Sequence, residues 1–63
     1  MLYRICMGKS DGRVTQDFGI DAEDTKDAWD KGFNEYGHNS EVPLSIYDET
    51  GETLYSFNMG FKE

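Results

Sequence analysis

Carboxylates are the reactive groups this chain offers in greatest number, and they are unevenly spread. Asp17, Asp21, Glu23, Asp24, Asp27, Asp30 and Glu35 lie in a stretch whose only cations are Lys26 and Lys31. At helical spacing Glu23, Asp27 and Asp30 share one side of a polar arc, with Asp24 and Glu35 farther round it. Acid-base catalysis would need two such groups across a substrate cleft with their pKa values driven apart, and the spacing supplies neither condition. The second acidic group, Asp48-Glu49-Thr50-Gly51-Glu52, is too short and wrongly spaced for an EF-hand loop and reads as a turn. The remaining chemistry is electrostatic. Rows of carboxylates attract a basic macromolecular surface and can stand in for a phosphate backbone. Against this stands the plainer reading, a solvated surface that keeps the chain soluble.

The other candidate groups point away from catalysis. Cys6 is the only cysteine, so neither a disulfide framework nor a thiolate zinc cluster can be built, and no C-x-x-C pair or neighbouring base activates it. It reads as a strand residue. His38 has a reference pKa of about 6.5, yet no nucleophile accompanies it and one imidazole makes no multi-histidine metal site. Gly8 to Gly12 lacks the G-x-x-x-x-G-K-[ST] phosphate loop. Tyr47, Tyr55 and Phe57 resemble a base-stacking set, but no basic groove surrounds them and two fall on an expected core face. No metal, cofactor or catalytic residue is therefore assigned.

Composition narrows the class further. Thirteen acidic and six basic side chains give 63 residues a net charge of −7, which repels nucleic-acid phosphates and anionic lipid. Four Phe, four Tyr and one Trp supply a small core, and a chain of this length holds one compact domain, residues 1–63. Met1 to Met7 contains Arg4 and lacks the apolar run of a signal peptide. No stretch reaches the roughly 20 apolar residues that span a bilayer. The expected compartment is cytoplasmic, with no membrane and no direct nucleic-acid contact.

The elements that position the carboxylates follow from periodicity. Tyr3, Ile5 and Met7 alternate with Leu2, Arg4 and Cys6 in a first strand. Asp11-Gly12 turns it into a second, where Val14, Gln16, Phe18 and Ile20 alternate. Asp21 then caps a helix running to Tyr36. Its packing stripe, centred on Trp29, takes in Ala22, Thr25, Gly32, Phe33 and Tyr36, and Gly37 ends it. Gly32 in that stripe suggests close approach to a sheet. Val42, Leu44 and Ile46 form a third strand, and a fourth runs from Glu52 onward with Tyr55, Phe57, Met59 and Phe61 on one face. The predicted fold is α+β: a ββαββ domain with a four-stranded antiparallel or mixed sheet packed against one helix. Its core comprises Tyr3, Ile5, Met7, Phe18, Leu44, Ile46, Tyr55 and Phe57 against Trp29, Phe33 and Tyr36.

The functional expectation is a non-catalytic acidic protein-interaction domain that meets the basic surface of a protein partner through Asp17, Asp21, Glu23, Asp27, Asp30 and Glu35. In its sharpest form it inhibits a nucleic-acid-binding protein by charge mimicry. The alternative is a small homodimeric structural or regulatory module joined through the second sheet face, where Leu2, Cys6, Tyr47 and Leu54 lie.

Overall fold

A computed structural model describes residues 1–37 and 40–62, and His38 lies outside them. The chain is α+β, with the order β1 (Leu2–Gly8), β2 (Val14–Asp21), α1 (Thr25–Tyr36), β3 (Val42–Tyr47), β4 (Thr53–Ser56) and β5 (Gly60–Phe61). The strands form one antiparallel sheet in the order β2-β1-β3-β4-β5, so five strands stand where four were expected. The first strand is thereby interior, bonded to β2 on one side and β3 on the other.

Turn chemistry places the hairpins. Gly12 has φ +97°, as its Asp-Gly pair implied, and the Gly12 N–H donates to the Lys9 carbonyl. Gly8 is held by contact: a Cβ there would sit 1.8 Å from the Arg13 carbonyl oxygen. A register shift beside Gly8 turns Val14 outward, so Val14 is exposed rather than on the core face. Pro43 pairs with Met7 at a second irregularity, before β3 meets β4 at Ser45, so its missing N–H costs no bond to β4.

The fifth strand corrects the reading of a single strand through Met59. Alternation of Tyr55, Phe57, Met59 and Phe61 continues across a turn, but the Met59 N–H donates to the Ser56 carbonyl and Gly60 has φ +79°. Phe57 to Met59 are thus a three-residue hairpin loop closed by a left-handed glycine. Ser56 pairs with Gly60 and Tyr55 with Phe61. Phe57 leaves the expected core for the surface, and Met59 is 86% exposed.

The helix begins later than expected. Leu2 opposes Asp21 in the ladder and the Ala22 N–H donates to the Met1 carbonyl, so the chain is still extended where Asp21 was assigned the cap. Asp24 is the N-cap instead: its Oδ1 accepts the Asp27 N–H at 2.8 Å. At the other end the Gly37 N–H donates to the Phe33 carbonyl at 3.0 Å, and the chain leaves the helix with φ −78°.

One face of the sheet is covered by α1. Ala28 is fully buried, Gly32 is buried, and a Cβ on Gly32 would lie 3.0 Å from Ile5 Cδ1. The closest seam therefore runs through these two small residues and not through Trp29. A bulky indole fits only beside that seam, where Trp29 is half-buried and Phe33 is 40% exposed. Beneath lie Tyr3, Ile5, Met7, Ile46 and Tyr55, all buried, with Phe18 and Ile20 half-buried at the β2 margin; Leu44, expected among them, falls at the register shift that sets Pro43 against Met7 and is buried apart from this cluster, beside Val14, Ser56 and Phe57. Replacing Ile5 or Ile46 by Ala is expected to cost about 2 to 5 kcal/mol, while Trp29→Ala costs less than the roughly 3 to 5 kcal/mol of a fully enclosed aromatic. Urea denaturation of the three variants, compared at unchanged slope, checks that order.

Candidate interaction surface

The six carboxylates singled out from the sequence do not form one patch. Asp17 stands on the sheet face turned away from the helix, where its carboxylate meets the Arg4 guanidinium at 2.9 and 3.0 Å. This is a two-point contact with fixed orientation, and it raises the Arg4 pKa further. Asp21 ends β2, with its side chain accepting from the Met1 amino group at 3.0 Å and its carbonyl accepting from Lys31 Nζ at 3.3 Å. Neither belongs to the helix.

Asp27 is on the helix, but its carboxylate is used for structure. Its Oδ2 accepts the Glu23 N–H at 3.0 Å and meets Lys31 Nζ at 3.2 Å. With Asp24 accepting the Asp27 N–H, the two side chains satisfy donors reciprocally at the helix start, in the manner of a capping box. The Glu23 N–H, with help from Lys31, holds the Asp27 carboxyl below its ordinary value. Asp30 faces Lys26 Nζ at 3.9 Å across one turn, a loose surface pair. Glu23 and Glu35 are exposed and carry no ion pair among the described residues. The least compensated carboxylates of the helical region are therefore Glu23, Asp24 and Glu35, with Asp30 loosely paired.

Beside these carboxylates lies a feature that charge counting missed. Trp29 stacks on Phe33 with centroids 5.2 Å apart and planes 23° from parallel, and Tyr55 meets the indole edge-on at 6.5 Å. Phe61 continues the row, 4.7 Å from Tyr55. Lys26 Nζ lies over two of these rings, 5.7 Å from the Trp29 centroid and 5.8 Å from the Phe61 centroid. Phe33 and Phe61 are each 40% exposed. The ledge depends on the β4–β5 turn, and Asn58 with Gly60 was the sequence signal for it. Trp29 Nε1 is buried without an acceptor among the described residues.

The open sheet face has a different character. Leu2 and Cys6 are separated along β1 by Arg4, which opposes Tyr47 in β3 and is tied to Asp17. Cys6 is a half-buried free thiol opposite Asp17 and Ser45. Leu54 is half-buried against the core. A groove of about 420 Å³ runs between Leu2, Arg4 and Gly19 and the β3–β4 turn at Asp48 and Glu49. Asp48 is committed to that turn. Its Oδ1 accepts from the Thr50 hydroxyl and from the Thr50 and Glu52 N–H groups at 2.6 to 3.0 Å, while Gly51 has φ +91°. The Thr50 hydroxyl first, then the Glu52 N–H, keep the Asp48 carboxyl below its usual range.

Among the described residues no group of three or more His, Cys, Asp and Glu is placed to hold a metal ion, and no helix is long and apolar enough to cross a membrane. No family model, curated protein or solved structure matches the chain.

The lowered carboxyls make a pH prediction. A folded-state pKa below the unfolded value, about 3.9 for Asp, gives stability that is present above that value and lost as pH falls through the lower folded one. Asp48→Ala and Asp27→Ala should therefore be less stable than wild type at neutral pH, with the gap narrowing below about pH 4. Urea midpoints across an acid titration check this, and parallel curves at all pH values would remove the assigned role.

Proposed function

We propose that this chain is a non-catalytic acidic protein-interaction domain and that its contact surface is the exposed side of α1 with the adjoining aromatic ledge. One observation carries the reading: exposed Phe33 stacks on Trp29 in a row that ends at exposed Phe61, and loosely paired Asp30 lies one turn from Phe33 on the same helix, with uncompensated Glu23 before the helix start and Glu35 farther round it. Protein interfaces join these two chemistries, aromatic anchors that are desolvated on contact and a charged rim that steers the approach. A partner matched to this surface carries lysine or arginine around an apolar recess. Charge mimicry of nucleic acid is the specific version in which that recess belongs to a nucleic-acid-binding cleft.

Asp17, Asp21 and Asp27 leave the proposed contact set, because each is engaged with Arg4, the β2 terminus or the helix cap. A charge test built on Asp27 would loosen the helix start and confuse folding with binding. The informative variant is Glu23→Gln, Asp30→Asn, Glu35→Gln, paired with Phe33→Ala. A partner isolated by affinity capture and then purified should bind the folded charge variant between about threefold and about a hundredfold more weakly. Its deficit should shrink as salt shortens the screening length below about 10 Å. Phe33→Ala should weaken binding at every salt concentration. Competition by nucleic acid would select mimicry. Undiminished binding by both variants would remove the proposal.

A further inference from the structure

We propose that the space over the Trp29 and Phe61 rings, bounded by the Asp30 carboxylate, takes a partner's arginine side chain, and that Lys26 fills it in the free chain as a built-in competitor. The inference rests on the reading of the aromatic ledge as the contact surface and names the group that the ledge takes.

Lys26 itself reports what the site attracts. Its Nζ lies over both rings, 5.7 Å from the Trp29 centroid and 5.8 Å from that of Phe61, and Asp30 Oδ1 is 3.9 Å from it. The rings come from different elements, one from α1 and the other from β5, and buried Tyr55 pairs with both, at 6.5 Å and 4.7 Å between centroids. Their separation is therefore set by the fold and not by the lysine. A cation placed there is attracted by two ring faces and one carboxylate at once.

The lysine is held weakly. Its side chain is 68% exposed, and its 3.9 Å pair with Asp30 is longer than the 3.2 Å between Lys31 and Asp27. A lysine N-terminal to its acid is also the less favourable order across one helical turn. An ammonium is a strongly hydrated point charge, so ring faces return little of what it loses by leaving water. Arginine suits the same surroundings better. Its guanidinium is more weakly hydrated, stacks flat on aromatic rings and offers a planar fork of N–H donors to a carboxylate. A quaternary ammonium uses the rings but has no donor for the Asp30 oxygens. On leaving, Lys26 regains rotamer freedom at an exposed helix surface, which offsets part of the cost of exchange. The net charge of −7 favours the approach of a cation, and Lys26 sets how strongly one must bind to stay.

Proton resonances of Lys26 distinguish the free from the occupied site. With the ammonium over two rings, its ε-methylene protons should lie upfield of a solvated lysine and return toward that position as a ligand enters. The probes are three short peptides with neutral flanks that carry one arginine, one lysine or one trimethyllysine, titrated at constant salt. The arginine peptide should bind most tightly and shift Trp29, Phe61 and the Lys26 ε protons together. Lys26→Met keeps an apolar stem and vacates the site, and should bind that peptide roughly two- to fivefold more tightly than wild type. Lys9→Met removes the same charge at the turn between β1 and β2 and should gain less. Asp30→Asn should erase the preference for arginine over trimethyllysine. Tighter binding of either other peptide, equal gains from Lys26→Met and Lys9→Met, no binding to the vacated site, or Lys26 ε protons that stay in place while Trp29 and Phe61 shift would each overturn the proposal. Each of these outcomes leaves the contact surface itself standing, because Phe33→Ala tests that separately.

Discussion

The close approach of α1 to the interior strand β1 sets the rest of the structure. Ile5 is fully buried, and its Cδ1 occupies space that any side chain at position 32 would contest, so the helix can lie low on the sheet only because residue 32 is glycine. Fully buried Ala28 continues the seam. The gain is apolar area removed from water at roughly 25 cal/mol per Å², offset in part by the roughly 1 kcal/mol that glycine costs in a helix interior. Fixing the seam at two small residues also fixes the rotation of the helix. Trp29 and Phe33 are carried to its flank, above Tyr55 and Phe61, and Asp30 and Glu35 are turned to solvent.

Carboxylates in this molecule divide by what their oxygens accept. Asp24, Asp27 and Asp48 receive backbone N–H groups where a helix starts or a hairpin turns, so part of the negative charge is structural. Asp17 and Glu52 face Arg4 and Lys62 at 2.9 Å, and Asp30 faces Lys26 more loosely at 3.9 Å. Exposed pairs of this kind add little stability, but they quench the field locally. The surplus is concentrated on groups such as Glu23 and Glu35, so net charge alone misplaces the electrostatic surface.

Much of the fold was legible in the sequence because strands with one buried face announce themselves by alternation. Tyr3, Ile5, Met7 and Ile46 all point inward as their spacing implied, whereas a register shift at Leu44 takes it out of that cluster, and Asp11-Gly12 turns as its chemistry requires. Two features were obscured by patterns that run on past their physical end. Phe57 and Met59 continue the alternation of β4 through a loop, which hid Asn58 and Gly60 as a turn. Asp21 is as good a cap residue as Asp24, and only the cross-strand pairing with Leu2 selects between them. The helix face was misjudged for a related reason. Size suggested that Trp29 should occupy the centre, whereas the tightest seam takes the smallest residues. For the surface, sequence revealed the acidity of residues 17–35 but not its division, since the Arg4–Asp17 pairing and the aromatic row are tertiary contacts.

The proposed contact surface depends on the small-residue seam of α1, which sets Asp30 beside the Phe33–Trp29 stack. Backbone and indole chemical shifts of the chain, followed during titration with a lysine- and arginine-rich peptide that carries one aromatic residue, test it directly. The predicted result is a contiguous set of shifts at Asp30, Phe33 and Phe61, with the Trp29 indole N–H moving in step. Shifts scattered over all acidic residues, or gathered on the open sheet face around Arg4 and Tyr47 with Trp29 unmoved, would contradict it.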